Sequence, residues 1–223
     1  MSLIDTHTEA LAPLPESPIA SRETTMSREQ AMTARTWVPG EAGIWALILT
    51  DLGVFTVYFI TFMYQWPHNR QTFAAGHAAI SLPAGILNTF FLLSASLFVA
   101  LGVQRIRRGL VTQTRRLFVL AGVAGGAFVV NKYFEWSHEL SQGHSPHTDT
   151  FFQMCFVLTG IHLLHVLIAM TLLRLMWARA GRVHGSPTFT QARFIENCAS
   201  YWHMVDLLWL VLLALFYLMG RAC

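Results

Sequence analysis

Residues 201–219 read "YWHMVDLLWLVLLALFYLM", a run in which only His203 and Asp206 are strongly polar. About 20 apolar residues in an α-helix cross the ~30 Å hydrocarbon core of a bilayer. His203 and Asp206 are three residues apart, so they share one face of that helix. The stretch therefore predicts a membrane-spanning helix whose polar face needs partners within the membrane.

The composition of the whole chain is that of a membrane protein. Of its 223 residues, 54% are hydrophobic and 12% are charged, and the mean hydropathy is +0.46. We expect an all-α, polytopic bundle with five transmembrane helices, at about 42–64, 83–103, 117–138, 150–177 and 198–219. The runs are continuously apolar, whereas the strands of a membrane β-barrel alternate. Gly122 and Gly126 have the spacing that lets two membrane helices approach closely.

Arginines collect on one side of the predicted bundle. They lie before the first span, between the second and third, and between the fourth and fifth: Arg22, Arg28, Arg35, Arg105, Arg107, Arg108, Arg115, Arg116, Arg174, Arg179, Arg182 and Arg193. The other side has only Arg70 and Arg221. Because basic loops stay in the cytoplasm, we expect a cytoplasmic N-terminus and an external C-terminus. Residues 1–36, rich in Pro, Ser and Thr, are predicted to be a disordered cytoplasmic tail, and residues 37–223 the transmembrane domain.

Nine polar side chains are candidates for a buried polar network. They are Asp51, Asn88, Lys132, Glu135, His162, His165, Glu196, His203 and Asp206. A charge at the bilayer centre costs at least ~2.5–3.5 kcal/mol on insertion scales, so such groups must face each other, a partner or water. With a rise of about 1.5 Å per residue, Asp51, His165, His203 and Asp206 fall in one layer in the inner half of the bundle.

Two pairs at helical spacing each allow two interpretations. Lys132 and Glu135, at i and i+3, form either an internal ion pair or a proton-transfer pair. His162 and His165 in "HLLH" are either ligands of a metal or haem, or hydrogen-bonded packing histidines. Imidazole is the commonest metal ligand, yet one HxxH motif supplies too few ligands for a zinc site.

All five spans, about four-fifths of the chain, resemble the haem–copper oxidase subunit III family. "ENCASYWHMVDLLWLVLLALFYLMG" (196–220) is similar to its last helix, in which a Glu precedes the His of a YWHFVD segment by seven residues. "FFQMCFVLTGIHLLHVLIA" (151–169) resembles its FF-x-x-TGFHG-HV segment. "PAGILNTFFLLSAS" (83–96) and "NKYFEW" (131–136) resemble its PLLNT-x-LLxSS and Gln-x-x-Glu-Tyr segments. Asp51 stands where the family usually has a buried Glu, and Lys132 replaces a Gln.

The resemblance implies an accessory subunit of aerobic respiratory electron transport in a bacterial inner membrane. It implies no catalytic residue, metal or cofactor in this chain, since haem and copper belong to the partner subunits I and II. It allows a bound phospholipid. The implied role is to stabilise the catalytic subunit and to support proton uptake. The five-helix length looks like the short branch of the family, which lacks the first two helices of longer members.

Three alternatives stay open from the sequence. The short branch includes proteins encoded beside nitric oxide reductase, so an accessory protein of that enzyme is the second interpretation. Asp51, His203 and Asp206 would form the proton relay of an autonomous proton or ion transporter, although no inverted repeat is visible. A membrane metalloenzyme would use the two histidines of "HLLH". No nucleic-acid partner is expected, because the basic residues lie in loops and form no binding patch.

Overall fold

The computed structural model describes residues 42–183 and 187–218. Six helices follow one another: α1 Ala42–His68, α2 Arg70–Ala79, α3 Leu82–Arg107, α4 Val111–Ser141, α5 Thr150–Ala180 and α6 Phe189–Leu213. The chain continues from α6 into a π-helical turn, Ala214–Leu218. These two ranges contain no β-strand. The predicted tail, 1–36, lies outside the described residues.

Five of these helices are long and apolar enough to cross a membrane: 43–68, 82–107, 111–141, 150–180 and 189–218. The prediction of an all-α bundle with five membrane spans is therefore confirmed. Polar residues cap the starts of α5 and α6, and α6 begins nine residues before its apolar run. Asp149 Oδ1 accepts a hydrogen bond of 3.0 Å from the Phe152 N–H, and Thr188 forms a capping box with Gln191 at the start of α6. Gly109, at φ 72°, makes the tight turn between α3 and α4.

α6 is the most buried of the spans. In the most apolar 18-residue segment of the span 189–218, 61% of the residues are buried, whereas only 17% are buried in the corresponding segment of α1. α6 packs against α1, α3 and α5, while α3 and α4 form a tight antiparallel pair. Polar residues on α6 are therefore the best placed to meet groups from several other helices.

A glycine contact brings α4 against its neighbours, but not at the predicted positions. A Cβ on Gly125 would lie 2.7 Å from Met170 Sδ and 3.0 Å from the Trp202 ring. A Cβ on Gly126 would meet no atom within 4 Å, and one on Gly122 would make only an ordinary contact with Leu173, at 3.9 Å. The prediction that Gly122 and Gly126 form the close contact is wrong, because the packed face of α4 carries Gly125.

Arginines gather at one end of the bundle, where α3 and α5 end and α4 and α6 begin. We call this end the basic edge; it carries Arg105, Arg107, Arg108, Arg115, Arg116, Arg174, Arg179, Arg182 and Arg193. The short helix α2 lies at the opposite end, between α1 and α3. Its Phe73 is fully buried and meets the rings of Phe62 and Phe151 edge-on.

Candidate functional site

Five polar side chains from α3, α4 and the π-helical turn form one buried cluster. We call Asn88, Asn131, Lys132, Glu135 and Tyr217 the Lys132 cluster. Lys132 Nζ lies 3.1 Å from Glu135 Oε2 and donates a 3.1 Å hydrogen bond to the Tyr217 hydroxyl. That hydroxyl donates in turn to Glu135 Oε1. Asn88 Nδ2 donates to Glu135 Oε2 at 3.2 Å, and Asn131 Nδ2 to Asn88 Oδ1 at 2.8 Å.

The surroundings of Lys132 explain how a charge is tolerated there. Lys132 is only 1% exposed. Its Nζ lies 5.4 Å from the centre of the Trp209 ring and 5.7 Å from that of Tyr217, within the range of a cation–π interaction. Glu135 supplies the opposite charge, and hydrogen bonds occupy both of its oxygens. A buried ion pair is tolerable when further hydrogen bonds satisfy its members in this way.

A second pair joins α1 to α5. Asp51 Oδ2 lies 3.4 Å from His165 Nε2, with side-chain exposures of 22% and 15%. His165 Nδ1 lies 2.7 Å from the Ile161 carbonyl oxygen, which only accepts, so Nδ1 carries a proton. The contact between Nε2 and Oδ2 then needs one further proton, either on the imidazole or on the carboxyl group. Asp51 and His165 thus form a partly exposed pair that links α1 to α5.

His203 lies apart from that pair. Its Nδ1 is 2.6 Å from Ser96 Oγ on α3, and its ring is exposed in this chain. Asp206, one turn further on, is 7% exposed and also contacts Ser96, while its Oδ1 has no hydrogen-bond partner among the described residues. The structure therefore divides the predicted layer into an Asp51–His165 pair and a Ser96–His203–Asp206 group. Depth along each helix is set by the sequence, whereas the direction of each side chain depends on helix rotation.

His162 and Glu196 have separate surroundings. His162 is fully buried, with its ring centre 5.9 Å from that of Phe128 and 5.4 Å from that of Trp209. Neither of its ring nitrogens has a hydrogen-bond partner among the described residues. Glu196 lies at the basic edge, where its Oε1 is 2.7 Å from Arg107 Nη2.

The nine predicted residues thus form separate groups rather than one connected network. Asn131, Tyr217 and Ser96 complete these groups and were missed by the sequence analysis. Tyr217 reaches Glu135 because the helix widens into a π turn just before it, and no sequence pattern marks that turn. Within 42–183 and 187–218, no three His, Cys, Asp or Glu side chains come together as a metal site would require.

His77 is a further buried histidine that the sequence analysis did not select. It lies in α2, outside the membrane spans, and is 4% exposed. Its Nδ1 donates a 2.7 Å hydrogen bond to the Phe216 carbonyl of the π turn. Burial lowers the pKa of His77, and the bond to Phe216 opposes this shift in part. His77 therefore fastens α2 to the end of α6 in its neutral form.

Comparison with known proteins gives a consistent result. Residues 21–221 match the family model described as cytochrome c oxidase subunit III. The chain is 32% identical over 172 residues to cytochrome c oxidase subunit 3 of Synechocystis sp., covering 75% of this chain and 69% of the relative. It is 27% identical over 165 residues to the protein of the same name in Corynebacterium diphtheriae, covering 74% and 78%.

A relative with another electron donor in its name is equally similar. Cytochrome bo(3) ubiquinol oxidase subunit 3 of Pseudomonas aeruginosa is 27% identical over 183 residues, covering 80% of this chain and 84% of the relative. The resemblance found in the sequence motifs is thereby confirmed, over most of the chain.

Proposed function

The chain belongs to the cytochrome c oxidase subunit III family, and from this premise we propose that it stabilises the catalytic subunit of a haem–copper terminal oxidase and supports its proton uptake. The observation that carries the proposal is the family match over residues 21–221. The named relatives are oxidase subunits, which favours an oxidase over nitric oxide reductase as the partner. Their names give different electron donors, cytochrome c or ubiquinol, so the proposal covers oxidases that use either donor.

The proposed partners are the catalytic subunit I and subunit II, which would hold the haem and copper. Redox chemistry would take place in those subunits. The residues of this chain would stabilise the assembly and assist proton uptake. The family match and the accessory role that it implies support a chain without its own redox centre. The polar groups of the described residues lie in separate clusters, which gives no support to an autonomous ion transporter.

The Asp51–His165 pair supports the proton-handling part of the proposal. Its two side chains are partly exposed, and their contact needs one proton that either side chain holds. A pair of this kind exchanges a proton with water or with a neighbouring group more readily than a fully enclosed one. The Lys132 cluster, in which Asn88, Lys132 and Tyr217 are buried, is better suited to holding α3, α4 and the end of α6 together.

We propose that the basic edge faces the cytoplasm of a bacterial cell and that the C-terminus lies outside. Cys155 and Cys198 are buried, so they give little background in a thiol-labelling experiment. A membrane-impermeant maleimide should label Cys223 in intact spheroplasts, and a Cys223→Ser chain should stay unlabelled. Labelling of Cys223 only after lysis would reverse the orientation.

A groove between α4 and α5 at the basic edge supports a bound anionic phospholipid. Cavities of about 560 and 370 Å³ adjoin there, sharing Val119 and Trp177 in their walls. The Arg115 guanidinium lies 4.3 Å from the centre of the Trp177 ring, and Arg116 is exposed beside it. The two arginines would bind the phosphate, and the apolar wall would hold an acyl chain.

Deleting the gene for this chain tests the proposed function. The remaining oxidase should keep its haem spectrum but lose oxygen-reducing activity faster on heating, and its turnover should fall most at alkaline pH, where protons are scarce. Restoring the chain should restore both properties. An oxidase that behaves identically with and without the chain would contradict the proposal, as would a nitric oxide reductase that alone loses activity.

A further inference from the structure

An imidazole lies exposed within the apolar part of a membrane span. His203 belongs to the span 189–218 and lies five residues, or about 8 Å, beyond the start of its apolar run at 198, and its ring is exposed in this chain. Ser96 Oγ lies 2.6 Å from His203 Nδ1. The described residues give His203 Nε2 no hydrogen-bond partner. A polar nitrogen that faces lipid tails without a partner costs several kcal/mol, because the bilayer core contains no water to replace it.

The surface around His203 is apolar and is built by two helices. Leu207 and Leu210 follow His203 on α6 and are 54% and 40% exposed, while Leu93 and Leu97 flank Ser96 on α3 and are 46% and 57% exposed. We call the surface formed by Leu93, Leu97, His203, Leu207 and Leu210 the His203 face. It is a leucine-rich patch about 10 Å long on α6 and about 6 Å long on α3, with His203 as its polar group.

Four exposed threonine hydroxyls on the spans differ from His203 in this respect. The hydroxyls of Thr50, Thr56, Thr61 and Thr171 each donate to the carbonyl four residues earlier in their own helix, at 2.7–3.0 Å. They are satisfied within one helix and are compatible with lipid. His203 Nε2 cannot be satisfied in this way, since its ring already meets Ser96 through the other nitrogen.

Asp206, one turn after His203 on α6, does not add to this surface. It is 7% exposed, and its Oδ1, which lacks a hydrogen-bond partner among the described residues, is enclosed within the chain. His203 Nε2 is therefore the polar group that is open to a neighbour. Lipid tails offer it neither donors nor acceptors. A polar side chain on another membrane helix meets the requirement.

We propose that the His203 face is the docking surface for a transmembrane helix of the oxidase catalytic subunit, with a hydrogen-bonding side chain of that helix meeting His203 Nε2. The identity of the partner rests on the proposed function, whereas the position of the surface rests on the exposed His203 imidazole and its contact with Ser96. The leucines supply van der Waals packing, and the polar contact fixes the register of the two helices.

Site-specific photocrosslinking in native membranes tests the docking surface. A benzophenone amino acid replaces Leu97 or Leu207 on the His203 face, and Leu49 on α1 or Val123 on α4 as matched controls, which are 64% and 66% exposed. The catalytic subunit should crosslink from Leu97 and Leu207 and not from the controls. Crosslinks from Leu49 or Val123 instead, or a second copy of this chain captured from Leu207, would overturn the proposal.

Substitution of the histidine gives a second, independent readout. His203→Phe should weaken retention of the chain in the detergent-solubilised complex by about three- to tenfold, the range of one interhelical hydrogen bond in a membrane. His203→Gln, which keeps a polar end group, should restore most of it. Tyr133→Phe, which removes an exposed hydroxyl from α4, should have no effect. Equal retention for His203→Phe and wild type would refute the polar contact.

The two proposals fail in different ways. If the catalytic subunit crosslinks only from the control positions, the His203 face is not the docking surface, and the accessory function stands. If no oxidase subunit co-purifies with the chain and oxygen reduction is unaffected by its loss, the proposed function is wrong. The crosslinks from each position and the subunits in the purified complex are recorded in the same preparation.

Discussion

Replacing Glu135 by Gln removes the charge that compensates Lys132 while keeping the size of the side chain. Lys132 is 1% exposed, so water cannot solvate its ammonium group in place of the lost carboxylate. Removing one member of a buried pair costs about 3–5 kcal/mol. The Tyr217 hydroxyl and the Trp209 ring stay beside the ammonium group, at 3.1 Å and 5.4 Å, so we expect the lower end of that range. A loss of about 3 kcal/mol corresponds to an unfolding constant about 150-fold larger.

Two further variants make the argument quantitative. Lys132→Met also leaves a buried charge without its partner, and because Glu135 keeps its hydrogen bonds from Tyr217 and Asn88, we again expect the lower end of the range, about 3 kcal/mol. The double variant Lys132→Met/Glu135→Gln has no unpaired charge, so it should be more stable than Glu135→Gln alone, with a coupling energy of at least about 2 kcal/mol. Unfolding of the purified chain by SDS in mixed micelles, followed by tryptophan fluorescence, measures these differences.

The ion pair at the basic edge is the control. Arg107 and Glu196 are 2.7 Å apart, with side-chain exposures of 60% and 25%. Glu196→Gln should change stability by at most about 1 kcal/mol, because an exposed pair contributes little. If Glu135→Gln costs no more than Glu196→Gln, or if the double variant shows no coupling, the account of the Lys132 cluster is refuted.

Three further predictions concern pH and lipid. Burial lowers the pKa of His77 in the folded chain below the usual 6.5 of the unfolded chain, so the unfolded chain binds more protons at pH values between these two pKa values. The docking of α2 should therefore weaken as pH falls below 6.5. Hydrogen exchange of α2, corrected for intrinsic rates, should show this loss, and His77→Asn should abolish its pH dependence. Asp51→Asn should leave the complex assembled but lower its oxygen-reducing turnover at alkaline pH, and an unchanged profile would leave Asp51 a structural role only. Arg115→Gln/Arg116→Gln should reduce the anionic phospholipid that co-purifies with the chain, as measured by mass spectrometry, whereas Arg108→Gln at the same edge should not.

The spans could be predicted from the sequence because length and hydropathy alone decide whether a helix crosses a bilayer. Helix ends were less predictable, since α6 begins at Phe189, nine residues before the apolar run, where Thr188 and Gln191 form a capping box. The short helix α2 was missed. It lies outside the spans and has only ten residues, so it is recognisable only from the buried contacts of Phe73 and His77.

The polar groups were predictable as a set but not in their pairing. Spacing within a helix correctly placed Lys132 beside Glu135, because residues three apart share a face whatever surrounds them. Partners on other helices depend on rotation and crossing, which the sequence does not give. Equal depth therefore suggested that His203 joins Asp51, whereas the structure places His203 with Ser96 and Asp51 with His165.

Native mass spectrometry of the gently solubilised complex tests the central claim most directly. The account predicts one assembly that contains this chain, whose sequence mass is 25.1 kDa, together with a catalytic oxidase subunit carrying haem and copper. Activation in the gas phase should release this chain without any metal or haem attached. An assembly with nitric oxide reductase subunits, or a chain that carries its own haem or metal, would contradict the account.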